Sequence, residues 1–327
     1  MGRDLVSPSM LRQMRGRAGR KGKDEVGETY LCCRENDLED VLDLMQADLP
    51  VLSSCLISEK RRIRRALLEV IAIRLATSRE SLEEYIWKTM LAYSAEAASI
   101  REHVETSLSE LQSAGFVVAA DESAGGFEAT RLGKAVVAAS LDPEDGTFVH
   151  AELRSALQAL VMDGEMHVLY HFTPIQDLGG VVINWRVFWS EMEGLDESGL
   201  RTMRLLGLKP SAVSSLVSGG NLKESTPEEK TTALRYRRFY LALQLRDLCD
   251  EVPIYRVAQK YHSPRGAVQT LAQTCQGFAA GMIKFCEHMG WGAMAAVLDH
   301  FSDRLTAGAR SDLLALAKIT FVKSRTA

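Results

Sequence analysis

Cysteine is scarce in this sequence. Its 327 residues hold six cysteines, and none of Cys32, Cys33, Cys55, Cys249, Cys275 and Cys286 stands in a C-x-x-C pair. That spacing argues against a zinc site, which needs three or four clustered ligands. A chain of this length can build a core without disulfides, so the thiols are expected to be reduced and intracellular. No apolar run reaches the roughly 18 residues of a membrane span, so no membrane partner is expected. The first residues lack the basic-then-apolar order of a secretory signal, which argues against export. A surplus of positive charge is also missing. The formal charge of −4 excludes a uniformly basic nucleic-acid binder and leaves such contact to local patches. No phosphate-cradling loop of the form G-x-x-x-x-G-K-[ST] occurs, and no Asp-Glu box for magnesium precedes the basic run described next. What remains is an ordinary globular composition, 46% hydrophobic and 25% charged, with room for about two or three domains.

One basic stretch stands out. Gln13-Met14-Arg15-Gly16-Arg17-Ala18-Gly19-Arg20 is followed by Lys21-Gly22. Gly16 and Gly19 let the backbone turn tightly and approach a ligand. Arg17 and Arg20 offer planar forks of donors matched to phosphate oxygens. A solvated basic loop that binds nucleic acid without specificity would read the same way.

Residues 1–50 are too few for a domain. A helix over 9–14, a buried strand over 26–33 and a helix over 38–45 are expected there, as in the tail of an α/β lobe. Residues 51–140 read as a winged helix. A helix opens at the basic run 60–65 and carries Leu67, Leu68, Ile71 and Leu75. Thr77-Ser78-Arg79-Glu80 is a capping-box signature for a second helix through Tyr93. A third helix over 99–114 ends at Gly115, and strands over 116–120 and 127–132 flank a turn. The third helix carries Glu102, Glu105 and Glu110, which repel phosphate, so a packing role is favoured over insertion in a DNA groove. Residues 141–327 are almost wholly helical, with loops 142–146 and 219–226 as joints. Thr226-Pro227-Glu228-Glu229 starts a long helix to about Asp250. His167 and His171 have metal-compatible helical spacing but no clear third ligand, and no metal site is expected.

Ser263-Pro264 opens another helix by the same cap-plus-proline logic, running to Met289 before Gly290. Val268, Leu271, Cys275, Phe278, Met282, Phe285 and Met289 form its apolar stripe. Arg265, Gln269, Gln273, Gln276 and Lys284 form a polar face that can donate to phosphates and base edges. Gly277, Ala279, Ala280 and Gly281 allow another backbone or a nucleic acid to come close. From the residues alone Phe278, on the apolar stripe, fits the core better than a DNA contact, and Arg265 fits plain solvent exposure and a DNA contact equally.

Q-x-x-G-R-x-G-R resembles the last nucleotide-sensing motif of superfamily-two helicases. The flanks at residues 1–4, 9–14 and 27–33, Pro264-Arg265-Gly266, Gln269, Phe278, Phe285-Cys286-Glu287, the stretches 77–91 and 170–185, and the closing residues 321–327 resemble one repair group. It is the group that holds the helicase domain of DNA polymerase theta and helicase Q. The resemblance implies a mainly α chain with three parts. These are the tail of a second RecA-like lobe (1–50), a winged helix (51–140) and a helical ratchet domain (141–327) that ends where a helix-hairpin-helix would begin. It implies that Arg17 and Arg20 act as arginine fingers on the γ-phosphate of ATP held with Mg2+ by another lobe, with Gln13, Gly16 and Gly19 shaping that sensor. It implies that Arg265, Gln269 and Phe278 line a channel for single-stranded or forked DNA. The expected whole is a nuclear, ATP-dependent 3′-to-5′ DNA repair helicase. This chain is the part of it without a P-loop, expected to be inactive alone and completed by N-terminal lobes from the same or a separate chain. The position of Met1 inside family-like sequence suggests a truncated gene. A non-enzymatic DNA- or protein-binding adaptor is the alternative.

Overall fold

The computed structural model describes residues 5–19, 22, 26–58, 61–120, 126–160, 164–176 and 178–307. Helix α1 (Pro8–Arg15) begins with proline in its first turn and the Ser7 hydroxyl accepting the Met10 N–H at 3.3 Å, the arrangement favoured where the first amides lack partners. It packs on α2 (Leu38–Gln46), and the Arg12 guanidinium donates to the Ala47 carbonyl at 3.3 Å. Residues 26–33 between them do not form the buried strand the sequence suggested. They carry no strand hydrogen bonding and every one is exposed, Tyr30 at 82%. Their composition favours extended backbone, but among the described residues no strand lies beside them to complete a ladder.

The next module begins with α3 (Cys55–Ser58) and α4 (Arg61–Ala72). Ile63, Leu67, Leu68 and Ile71 of α4 are buried, whereas Leu75 lies beyond the helix end and is 66% exposed. Lys60, at the start of the basic run, lies outside the described residues. Helix α5 (Arg79–Trp87) has a capping box one residue later than expected: Ser78 caps and Ser81 returns the bond. It stops at Trp87, and α6 (Leu91–Ser94) follows after a turn rather than continuing to Tyr93. Helix α7 (Ala97–Ser113) closes as read, with Gly115 at φ +74°. The Phe116 amide bonds back to the Leu111 carbonyl at 2.9 Å and the Gly115 amide to Gln112 at 3.0 Å, a paired bond that needs the left-handed residue. Strands β1 (Val117–Ala119) and β2 (Phe127–Ala129) pair antiparallel with Val117 opposite Ala129. Gly126 bridges to Ser78 at the start of α5. Residues 121–125 of the wing turn lie outside the described residues. Thr130 caps α8 (Arg131–Ala138), so β2 ends before the expected Leu132. Glu105 and Glu110 of α7 are paired to Arg79 and Arg64, which ties α7 to its own module.

Residues 142–146 are a helix start rather than a joint. Asp142 is the N-cap residue of α9 (Pro143–Ala159), with proline in the first turn, and Gly146 lies against Val136. Then follow α10 (Met166–Phe172), α11 (Trp185–Glu193), α12 (Glu197–Leu205), α13 (Pro210–Val217), α14 (Pro227–Cys249), α15 (Ile254–Lys260), α16 (Arg265–Met289) and α17 (Gly292–Ala307). The capping box at α14 joins Thr226 and Glu229 as read. Apolar residues from α4 through α17 form one buried cluster, so the chain is mainly α around a shared core with only a two-stranded sheet among the described residues.

A buried cation fastens this core. Arg238 of α14 is 2% exposed. Its Nε donates to the Thr173 carbonyl at 3.2 Å and the Thr173 hydroxyl at 3.1 Å, and its Nη2 donates to the Tyr170 and Thr173 carbonyls at 3.1 and 3.0 Å. A guanidinium placed there satisfies the end of α10 and opposes its dipole. Its carbon lies 4.4 Å from the Tyr170 ring centroid. The Tyr170 hydroxyl donates to Glu152 at 2.7 Å, and Arg235 donates to the other Glu152 oxygen at 2.6 Å.

Candidate nucleic-acid interface

Helix α16 runs 25 residues, about 37 Å. It packs on α17, α8, α15, α10 and α14. It starts one residue later than the sequence suggested. Pro264 is the N-cap residue in extended backbone and Arg265 the first helical residue, while the Ser263 hydroxyl bonds to the Tyr261 carbonyl instead of capping. The far end closes on Gly290 at φ +72°. Val268, Cys275, Met282 and Phe285 of the expected stripe are buried at 1% exposure or less. Gly281 faces α8: a Cβ there would sit 2.9 Å from the Ala139 carbonyl. The close approach read from the small residues is, at this position, contact with a neighbouring helix. At Gly277 a Cβ would meet nothing within 4 Å, so that backbone is open.

The exposed side of α16 carries a row at four-residue intervals: Arg265, Gln269, Gln273 and Gly277 are all exposed. Steps of four advance about 6 Å and drift only about 40° around the axis, so the row is nearly straight. It holds donors and an open backbone and no carboxylate. From Val252 to Cys286 there is no Asp or Glu, in a chain with 43 of them. Neither Arg265 nor Arg256 pairs with a carboxylate among the described residues. Lys260, at the end of α15, is spoken for: it reaches Asp247 at 2.6 Å and Glu191 at 2.9 Å, which also hold Arg246. Burial works against the Lys260 charge, but the two carboxylates outweigh it and hold its pKa above the usual lysine value.

Phe278 lies elsewhere on the helix. It follows Gln269 by an angle of about 180° and lies about 20 Å along the axis from Arg265. It is half-buried against the core and lines a groove of about 560 Å³. Thr270 and Thr274 share its wall, with Ser140, Ile175 and Gln176 opposite. Gln176 donates to Asp142 and Asp145 at 2.9 and 2.7 Å. The acids make this flank a poor place for a phosphate and a tolerable one for a flat apolar group. The structure thus leaves Arg265 and Gln269 outside the groove that holds Phe278, while Gln273 and Gly277 belong both to the exposed row and to the groove wall. Gln273, Thr270 and Gly277 were legible from the 100° step per residue.

The glycine-rich turn follows α1. Gln13 and Arg17, one turn apart, are both exposed, as are Gly16 and Gly19. Gly16 is still near-helical at φ −65°, and Gly19 turns the chain at φ +78°. Gly27 returns over it so closely that a Cβ would lie 2.6 Å from the Ala18 carbonyl. Arg20 lies outside the described residues, as do residues 321–327.

Among the described residues no cluster of three or more His, Cys, Asp or Glu could hold a metal. His167 and His171 are buried with ring centroids 5.0 Å apart. Burial pushes His167 down to about 4, against a weaker pull from Glu152, and burial, with the nearby His167 and Arg238, holds His171 well below its usual value. Among the described residues no helix is long and apolar enough to cross a membrane.

Residues 143–305 match the family profile described as the DNA_pol_Q helicase-like region helical domain. Residues 27–118 match a helix-turn-helix domain profile. DNA polymerase theta of Drosophila melanogaster is 31% identical over 96% of this chain, which spans 16% of that protein. Helicase POLQ-like of Homo sapiens is 24% identical over 98% of the chain and 30% of its own length. The ATP-dependent DNA helicase Hel308 of Aeropyrum pernix is 24% identical over 97% of the chain and 39% of its own length.

Proposed function

We propose that this chain, which belongs to the DNA polymerase theta-like group of superfamily-two helicase regions, is the strand-gripping and nucleotide-sensing C-terminal part of an ATP-driven 3′-to-5′ DNA helicase that acts in repair in the nucleus. In this reading residues 1–50 are the tail of the second RecA-like lobe, 51–140 the winged helix and 141–327 the ratchet domain. ATP and Mg2+ sit on a P-loop lobe that this sequence does not contain. Arg17 and Arg20 would face its γ-phosphate, where charge builds in the transition state and a placed cation stabilises it. Gln13, Gly16 and Gly19 set the reach of that loop. The exposure of Gln13 and Arg17 fits docking against such a lobe.

The observation that carries the strand-gripping role is the acid-free row Arg265, Gln269, Gln273 and Gly277 on an otherwise acidic chain. One strand of DNA laid along it would place phosphates on the donors. Bases turned toward the groove would meet Phe278, which suits a flat apolar face better than a phosphate. Labelled single-stranded oligonucleotides test this by fluorescence anisotropy. Arg265→Ala should weaken binding and flatten its salt dependence, and Gln269→Ala should weaken it with the salt slope unchanged. Phe278→Ala should weaken it by about the 1–3 kcal/mol of a lost base stack. Unchanged affinity in all three removes the channel assignment. In a helicase region that includes the P-loop lobe, Arg17→Ala or Arg20→Ala should lower ATP turnover by roughly 10³–10⁵. DNA binding that ignores nucleotide there would favour an adaptor instead.

A further inference from the structure

The acid-free stretch begins before α16. It includes α15, whose buried side holds Val257 and Ala258 and whose exposed side carries Tyr255, Arg256 and Gln259. Tyr255 is 54% exposed. Its neighbour holds it: the Arg256 Nε donates to the Tyr255 hydroxyl at 3.2 Å, and the guanidinium carbon lies 5.9 Å from the ring centroid. Arg256 makes no ion pair among the described residues, whereas Lys260 on the same helix is neutralised by Asp247 and Glu191. Residues 261–264 join α15 to the first residue of α16, and the two helices pack on each other. Arg256 and Arg265, which make no ion pair among the described residues, therefore stand on two adjacent, packed helices. The sequence between Glu251 and Glu287 carries no other carboxylate.

An exposed ring beside an arginine that makes no ion pair among the described residues, on a helix that itself carries no carboxylate, has the chemistry of a single-strand platform. The arginine takes a phosphate, and the ring offers a face that any base can stack on. We propose that Tyr255 and Arg256 form a second contact for the strand gripped by α16, carrying the binding surface back along α15. This rests on the strand-gripping role given above for Arg265 and Gln269. A solvated helix face would show the same exposure but would not respond to the following test.

The whole chain is titrated with 5′-labelled oligothymidylate, at several salt concentrations. Tyr255→Ala should weaken binding roughly 5- to 150-fold, the loss expected for one base stack. Tyr255→Phe keeps the ring and should stay within about twofold of wild type. Arg256→Gln removes one phosphate contact and should reduce the slope of log affinity against log salt by about 0.7. Both side chains are exposed, so all three variants should keep the wild-type circular dichroism spectrum. Binding by wild type that falls with Arg265→Ala but not with Tyr255→Ala or Arg256→Gln would overturn this proposal and leave the reading of α16 standing. Loss in Tyr255→Phe equal to that in Tyr255→Ala would overturn the stacking role. Displacement of the strand by polyglutamate at equal charge concentration would also overturn it, since the surface would then be a general anion site. Failure of the wild-type chain to bind the oligonucleotide would remove both readings together.

Discussion

Arg238 offers the sharpest test of how the helical core is held. Replacing it with methionine keeps an unbranched stem but removes the donors and the charge. The Thr173 carbonyl loses both guanidinium bonds, at 3.2 and 3.0 Å, and a stranded buried acceptor costs about 1–3 kcal/mol. The Tyr170 carbonyl loses less, because the Thr173 amide and hydroxyl still donate to it. The ring contact at 4.4 Å adds about 2 kcal/mol where water is excluded. Against these stands relief from burying a cation, which in other cores has made such replacements neutral or favourable by about 1–4 kcal/mol. Among the described residues the Thr173 carbonyl has no donor besides Arg238, so the first two effects should win. Arg238→Met should cost about 1–3 kcal/mol. Arg238→Ala, which also opens a cavity, should cost about 3–5 kcal/mol. Urea unfolding followed by circular dichroism reads both. Because α10 and α14 both pack on α16, the loss should also appear as weaker strand binding. Arg238→Met as stable as wild type would refute the reasoning, because desolvation would then outweigh the capping.

Three further outcomes follow from the packing and the titrating groups. His167 and His171 are held neutral when folded and regain their ordinary affinity for protons when unfolded. The unfolded chain therefore binds more protons below about pH 6.5, and stability should fall with pH from there. His167 alone should account for about 3 kcal/mol by pH 4, and pH-dependent urea midpoints that stay flat over that window would contradict it. Gly281→Val places a branched side chain where a Cβ already sits 2.9 Å from the Ala139 carbonyl. Spreading α16 from α8 should cost about 1–3 kcal/mol, visible as a lower melting temperature, whereas Gly277→Ala, with open space around it, should cost nothing. Thr226→Ala removes the hydroxyl that accepts the Glu229 amide at 3.2 Å and should cost about 0.5–2 kcal/mol, read from the same melts.

What the sequence discloses about this molecule depends on how far apart the partners of each interaction lie. The capping box Thr226/Glu229 spans three residues, and the Gly115 turn returns to Leu111. Both are decided by side chains and backbone within one turn, and both were legible. The α16 stripe was legible for the same reason, since a 3.6-residue period needs no knowledge of what covers it. The strand over 26–33 fails this test. Its composition is right for a strand, but a strand exists only with a neighbour, and none stands beside it among the described residues. Arg238 fails in the opposite sense. It reads as one more surface charge among Arg235 and Arg237, yet its partner is a carbonyl 65 positions earlier. Helix α14 gives no warning, because Tyr236 and the run from Arg238 to Leu245 are buried around its whole circumference. The site divides along the same line. Arg265, Gln269 and Gln273 could be placed on one row by counting, and counting also sets Phe278 about half a turn away. What counting could not supply is the acid lining of the Phe278 groove, because Asp145 and Gln176 come from segments a hundred or more positions distant. That lining is why a phosphate contact belongs at Arg265 and Gln269, outside the groove, and a base in the groove that Gln273 and Gly277 share with Phe278. It also makes the two places separable by experiment. Raising salt should erase the effect of Arg265→Ala, which acts through charge, and leave that of Phe278→Ala, which acts through contact area. A Phe278→Ala defect that disappears with salt to the same degree would place both residues on a single phosphate track and undo the division.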